Sequence, residues 1–350
     1  MIAAPELWNR LAAEGLAHGE MPKPAERPTP WPVRVMLGAA GWAGSLFLLG
    51  FAGAVFSNIL NHPGPAFSLG IGSCAFAYLL FRSFPHNDFA QQAGLAVSLA
   101  GQALLVVAVG QTLGEHRLGP AFLVLAAIAA GLALLLPNYL HRVLSALAAN
   151  ALLFLAAGTI GAPALATAVT AAGACALLLR EESLLAAPDF WEPLAYGFLI
   201  ALLPMDASIF VGPGFWRWLY DSSSPPVLLW LGPVVSGLAI LCVALWLRRR
   251  LDTEADGSAG LLGIAGVAVI ALCGCMAPGI SASLLVTTLG FASGRRTAIG
   301  LGLFAFVAYL GNFYYQLQVT LLVKSIVLSG TGVALLILWY FVHRGGRRPA

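Results

Sequence analysis

Lys324 places a charge inside an apolar run long enough to cross a bilayer. A charge in a spanning helix is expensive and usually has a partner or a task. Asn312, Tyr314, Tyr315, Gln316, Gln318, Thr320 and Ser325 flank it with amides and hydroxyls. Thr320 and Lys324 are four apart and share a helix face, as do Tyr314 and Gln318 if one helix continues through them. Counted from the outer end of its run, Lys324 lies five residues in, about 7–8 Å deep at a rise of about 1.5 Å per residue. Asp206 lies at a matching depth in an earlier apolar run. Two chemistries fit the lysine. Its long side chain can snorkel to the outer headgroups, or it can form an ion pair with Asp206. The tyrosines fit an aromatic belt, or an outward-facing polar pocket with Asn312, Gln316 and Lys324.

Other chemistries lack their residues. There is no Walker motif, no HExxH and no GxSxG in a strand–turn–helix setting. No nucleophile–base set and no carboxylate pair within a span is visible, so the chain is not expected to be an enzyme. Cys74, Cys175, Cys242, Cys273 and Cys275 sit in apolar runs without His at metal-ligand spacing, and neither a metal nor another cofactor is expected. Gln102 and Asn150 lie near mid-membrane, where interhelical hydrogen bonding accounts for them. Glu181, Glu182, Asp189 and Glu192 read as a solvated acidic loop. Pro204 and Pro233 interrupt two runs and would free carbonyls there.

The elements that must position these groups are membrane helices. The chain is 59% hydrophobic and only 9% charged, whereas a soluble domain carries about 25% charge. Apolar runs against their breakers predict an all-α, polytopic helical bundle of about twelve spans. They lie near 35–58, 66–81, 89–112, 118–136, 139–160, 163–179, 193–211, 226–247, 259–276, 279–293, 297–317 and 319–342. Residues 66–81 and 279–293 are short for a span, which predicts tilt or partial insertion. With both termini cytoplasmic, fifteen of the eighteen Lys and Arg fall inside, and only Arg117 and Arg217 fall outside. Such one-sidedness follows the positive-inside rule. Residues 1–34 read as a cytoplasmic segment, a short amphipathic helix over 5–16 followed by a Pro-rich linker, and 343–350 as a basic cytoplasmic tail. Gly38, Gly41 and Gly44, and Gly257 to Gly266 at every third residue, predict close-packing faces. No basic stripe suggests nucleic acid.

The C-terminal pattern carries a resemblance. Pro278-Gly279-Ile280, Leu289-Gly290-Phe291-Ala292, Tyr309-Leu310, Tyr314-Tyr315-Gln316-Leu317 and Thr320 through Ser325, with Gly41-Trp42 near the start, resemble a bacterial multi-pass membrane family known as domain of unknown function 4401. The resemblance implies the bacterial cytoplasmic (inner) membrane. It also implies a partner, a membrane-anchored protein with a GDYxxLxY motif, and supplies no catalytic residues. Two functions follow as expectations. One is a non-enzymatic multi-pass component of a membrane complex, with the lipid bilayer and that protein as partners. The other is a secondary transporter or permease for a small solute. A polar cavity reaching mid-membrane would favour transport, and an apolar side groove would favour the complex component.

Overall fold

The structure, a computed structural model, describes residues 62–114, 117–180, 187–210, 231–250 and 279–316, with a few isolated positions before residue 55. Nine α-helices are found among the described residues: α1 (Pro63–Ser83), α2 (Asp88–Leu113), α3 (Leu118–Leu135), α4 (Tyr139–Thr159), α5 (Pro163–Leu179), α6 (Pro188–Asp206), α7 (Leu231–Arg250), α8 (Ile280–Ala292) and α9 (Arg296–Gln316). A short 3-10 turn, Ala207–Phe210, follows α6. Their limits follow ordinary capping chemistry. Asn87 and Asn138 stand at N-caps and accept the backbone N–H of Ala90 and His141. Pro63, Pro163 and Pro188 open α1, α5 and α6, where the missing N–H costs nothing.

Helices α1 to α4 are long and apolar enough to cross a membrane. The fold therefore carries four such spans among the described residues, where the sequence predicts about twelve. Helices α5, α7 and α8 have shorter apolar stretches, and α6 holds Asp189, Glu192 and Asp206. The expected short span at 66–81 is corrected upward, because Pro63 starts the helix three residues earlier and it runs 21 residues. The other short one stays short: α8 has 13 residues. Of the amphipathic helix expected over 5–16, Arg10, Ala12 and Ala13 are described and helical. The rest of that helix, the linker up to 34, most of span 35–58, the spans near 259–276 and 319–342, the tail 343–350, Cys273, Cys275 and the Gly257–Gly266 series lie outside the described residues.

Helices pair as antiparallel hairpins α1–α2, α3–α4 and α8–α9, and α6 packs against both α4 and α5. Three bonds fix one end of the bundle. Asn138 Nδ2 donates to Gln91 Oε1 at 2.9 Å, Arg142 Nη1 donates to the Asp189 carbonyl at 2.8 Å, and Arg295 pairs with Glu192. Asp189 and Glu192 thus belong to the first turns of α6 and not to a solvated loop. Their charges follow Pro188, and an acidic first turn complements the helix dipole. Arg295 sits in the turn between α8 and α9. Burial pulls its pKa down, but the bond and charge of Glu192 outweigh this and hold it above its usual value. The densest core joins α5 to α9, with Leu199, Leu202, Leu285 and Leu289 fully enclosed. Small residues bring helices together as expected in lipid: a side chain at Gly101 would strike the Gly70 carbonyl. Gly44 meets no described neighbour within 4 Å, and Gly38 and Gly41 lie outside the described residues. Glycine spacing permits close approach; it does not choose a partner.

Candidate functional site

The most unusual group inside the bundle is a carboxylate. Asp206 is the last residue of α6 and is 1% exposed. Pro204 stands two residues before it. A proline inside a helix removes one i→i−4 bond. The chain then tightens: Ala207 N–H bonds the Leu203 and Met205 carbonyls, and Ser208 Oγ bonds the Met205 carbonyl at 2.6 Å.

Asp206 meets the start of α8. That helix begins after Gly279, whose φ of 87° lies in the left-handed region and which offers no side-chain cap. Only glycine suits this place, since a Cβ there would also lie 2.6 Å from the Tyr309 ring of α9. Asp206 provides the missing cap from another helix. Its Oδ2 accepts the Ser281 hydroxyl and the Ala282 N–H, the latter at 3.0 Å. Its Oδ1 accepts Ser236 Oγ of α7 at 3.4 Å. A carboxylate at a helix N-terminus meets both unpaired N–H groups and the positive end of the dipole. Gly232 of α7 leaves the room: a Cβ there would lie 3.4 Å from Asp206 Oδ1 and 3.8 Å from Thr167 Oγ1. Helices α6, α7 and α8 thus meet at one buried carboxylate.

A second polar cluster lies between α2 and α4. Gln102 Nε2 is 3.0 Å from His141 Nε2 and donates to Ser145 Oγ at 3.2 Å. His141 is fully buried. Further along α4, Asn150 Oδ1 accepts Thr170 Oγ1 of α5 at 2.9 Å, and Asn150 Nδ2 bonds the Ala146 carbonyl. Gln102 and Asn150 therefore serve as interhelical ties, as the sequence suggests. His141 is not singled out there, since it stands beside Arg142 near the start of an apolar run. Ser236 and Ser281 are missed too, although Ser281 stands just after the glycine where α8 begins.

Of the polar residues grouped around Lys324 in the sequence, Asp206 is placed as above. Asn312 is exposed on α9, and Tyr314, Tyr315 and Gln316 belong to its last turn. Gln318, Thr320, Lys324 and Ser325 lie outside the described residues, and so does any meeting of Asp206 with Lys324. Cys74, Cys175 and Cys242 are free. Among the described residues no cluster of His, Cys, Asp or Glu has the makings of a metal site.

Large cavities open between the helices and are apolar. One of about 630 Å³ lies between α1 and α3 and is lined by Phe67, Ile71, Leu79, Leu105 and Leu135, with Tyr78. One of about 620 Å³ lies between α3, α4, α5 and α6, where Asn150 joins alanines and leucines. A third, about 400 Å³, adjoins it near Leu123 and Ile160.

A family model described as domain of unknown function (DUF4401) matches residues 30–345. No curated protein matches the chain. No solved structure matches it.

Proposed function

The chain belongs to the DUF4401 family, and from that premise we propose that it is a non-enzymatic, multi-pass component of a membrane complex. The α1–α3 groove carries this reading. It is apolar, and Phe67, Ile71, Leu79 and Leu135 on its walls are exposed. Meanwhile Gln102, His141, Asn150, Thr170 and Asp206 are bonded within the bundle. A groove between membrane helices, walled by large apolar side chains, suits the helix of a second membrane protein. The partner proposed is the membrane-anchored GDYxxLxY-motif protein. The setting proposed is the bacterial inner membrane, with twelve spans and both termini cytoplasmic. Nine of the twelve expected spans coincide with described helices. The end fixed by the Gln91, Arg142 and Arg295 bonds also bears Arg82, Arg180 and Arg296, which supports placing it inside. Reporter fusions after Arg250 and at Ala350 should both read cytoplasm, and a periplasmic signal at either would break this topology.

Affinity purification in mild detergent, with the two proteins co-expressed, tests the assembly. An equimolar pair is expected. Recovery of this chain alone from cells that hold both proteins would contradict it.

One observation favours a second reading, a secondary transporter. Helix α8 starts at Ile280, and its N-terminus faces a buried carboxylate. Transporter sites use helix N-termini that point into the bundle. On this reading Asp206 and Lys324 form a pair across the outer half. A double-mutant cycle on the two residues would then show coupling, and additive effects would remove the pair.

A further inference from the structure

The cavity between α3, α4, α5 and α6 differs from the α1–α3 groove in what lies at its end. On α4 the lining residues Ala146, Asn150 and Leu153 continue one turn down to Arg142. On α5, Gly173 and Leu177 continue to Arg180, exposed just beyond the helix. Trp191 of α6 lines the same end, at the depth where tryptophans meet headgroups.

Arg142 is held but under-bonded. Its Nη1 donates to the Asp189 carbonyl at 2.8 Å, and its guanidinium stacks over Phe190, 4.7 Å from the ring centre. The Asp189 side chain lies close enough to act on its charge. Yet its Nε is enclosed with no acceptor among the described residues. An enclosed N–H without a partner is a standing cost that an added oxygen would relieve. Phe190 packs in one cluster with Ala146 and Leu194, both of which line the cavity, so the arginine stands at its mouth.

The dimensions fit one leaflet. Along α3 the lining runs from Leu123 to Leu134, about 16 Å at the helical rise. Half of a hydrocarbon core of roughly 30 Å is about 15 Å. The lining is apolar nearly throughout.

We infer that this cavity is a binding site for one anionic phospholipid, with an acyl chain laid between α3 and α5 and the phosphate met by Arg142 and Arg180. The site is separate from the α1–α3 groove and does not depend on the proposed partner.

Native mass spectrometry of the purified full chain, offered phosphatidylglycerol and phosphatidylcholine of matched chains, tests it. One phosphatidylglycerol should be retained with about tenfold preference, the scale expected for one or two arginines at an anionic headgroup. Arg142→Gln with Arg180→Gln should abolish the preference and leave phosphatidylcholine retention unchanged. Arg180→Gln alone changes an exposed side chain and so spares the fold, and it should already lower the preference. Ala130→Leu with Ala176→Leu fills the cavity and should reduce retention of both lipids. Equal retention of the two lipids by the unaltered chain overturns the proposal. So does a preference indifferent to Arg180→Gln, or a lipid fully displaced by millimolar inorganic phosphate. A photo-crosslinker at Ala130 that captures a protein helix instead of lipid overturns it as well.

Discussion

Helices α1 to α4 and helices α5 to α9 solve the same problem differently. The first four are long, and between 28% and 44% of each span is buried within the protein. They touch through small residues and a few amides, and they leave grooves between them. The last five include the shortest helix, the 13-residue α8, share one apolar core, and hold Asp206 at the start of α8. In lipid, apolar surface gains little by leaving hydrocarbon for protein, so long apolar helices need not bury themselves. A helix that starts inside the bundle needs its first N–H groups met, because unpaired N–H groups are not tolerated in hydrocarbon. In the compact half Asp206 meets that need at the start of α8, whereas the open half leaves apolar grooves.

The sharpest way to break this contrast is Asp206→Ala. It strands the Ala282 N–H and two hydroxyls in a dry interior, where each bond to a charged group contributes about 1.5–3 kcal/mol. A total loss of about 3–5 kcal/mol is expected in unfolding titrations in mixed micelles, with Asp206→Asn losing less. A change below about 1 kcal/mol would mean that the carboxylate does not hold α8. Next comes Gly290→Val. A Cβ at Gly290 would lie 2.6 Å from the backbone N of Ile299 in α9. Overpacking of this kind costs about 1–3 kcal/mol, and the same titration should show it, while Gly110→Ala in α2, where a Cβ meets nothing described within 4 Å, should be silent. An equal effect at both positions would erase the difference between the halves.

In the open half the effects should be smaller. Gln102→Leu removes the tie to His141 and Ser145 and should cost about 1 kcal/mol, the usual scale for interhelical bonds in membranes. A cost equal to that of Asp206→Ala would mark the Gln102 cluster as a second keystone. The weakest is Glu192→Gln. Its pair with Arg295 is partly exposed, at 29% and 19%, and solvent screening limits such pairs to about 0–1 kcal/mol. Added salt should shrink even that, and a larger, salt-independent loss would show that the pair is dry.

The sequence makes the open half more legible than the compact one. Runs of apolar residues ending in Asn, Gly and Pro locate α2 to α5 within a residue or two, because capping is local chemistry. Charge alone misleads at Asp189 and Glu192, since an acidic first turn and a solvated loop have the same composition. The partners of Asp206 are not readable from the sequence. Ser281 and Ala282 lie about 75 positions later, and no periodicity links them. His141 escapes notice for a similar reason, because only the fold brings Gln102 to it.

The central claim is that the α1–α3 groove seats the membrane helix of a second protein. A photo-crosslinking side chain at Leu79, on the groove wall, tests it in living cells that also hold the GDYxxLxY-motif protein. The same chemistry at Val307, an exposed position on α9, is the control. One heavier adduct containing that protein is expected from Leu79 and none from Val307. Lipid adducts alone at both positions, or crosslinks from Leu79 only within the chain, would contradict the assignment.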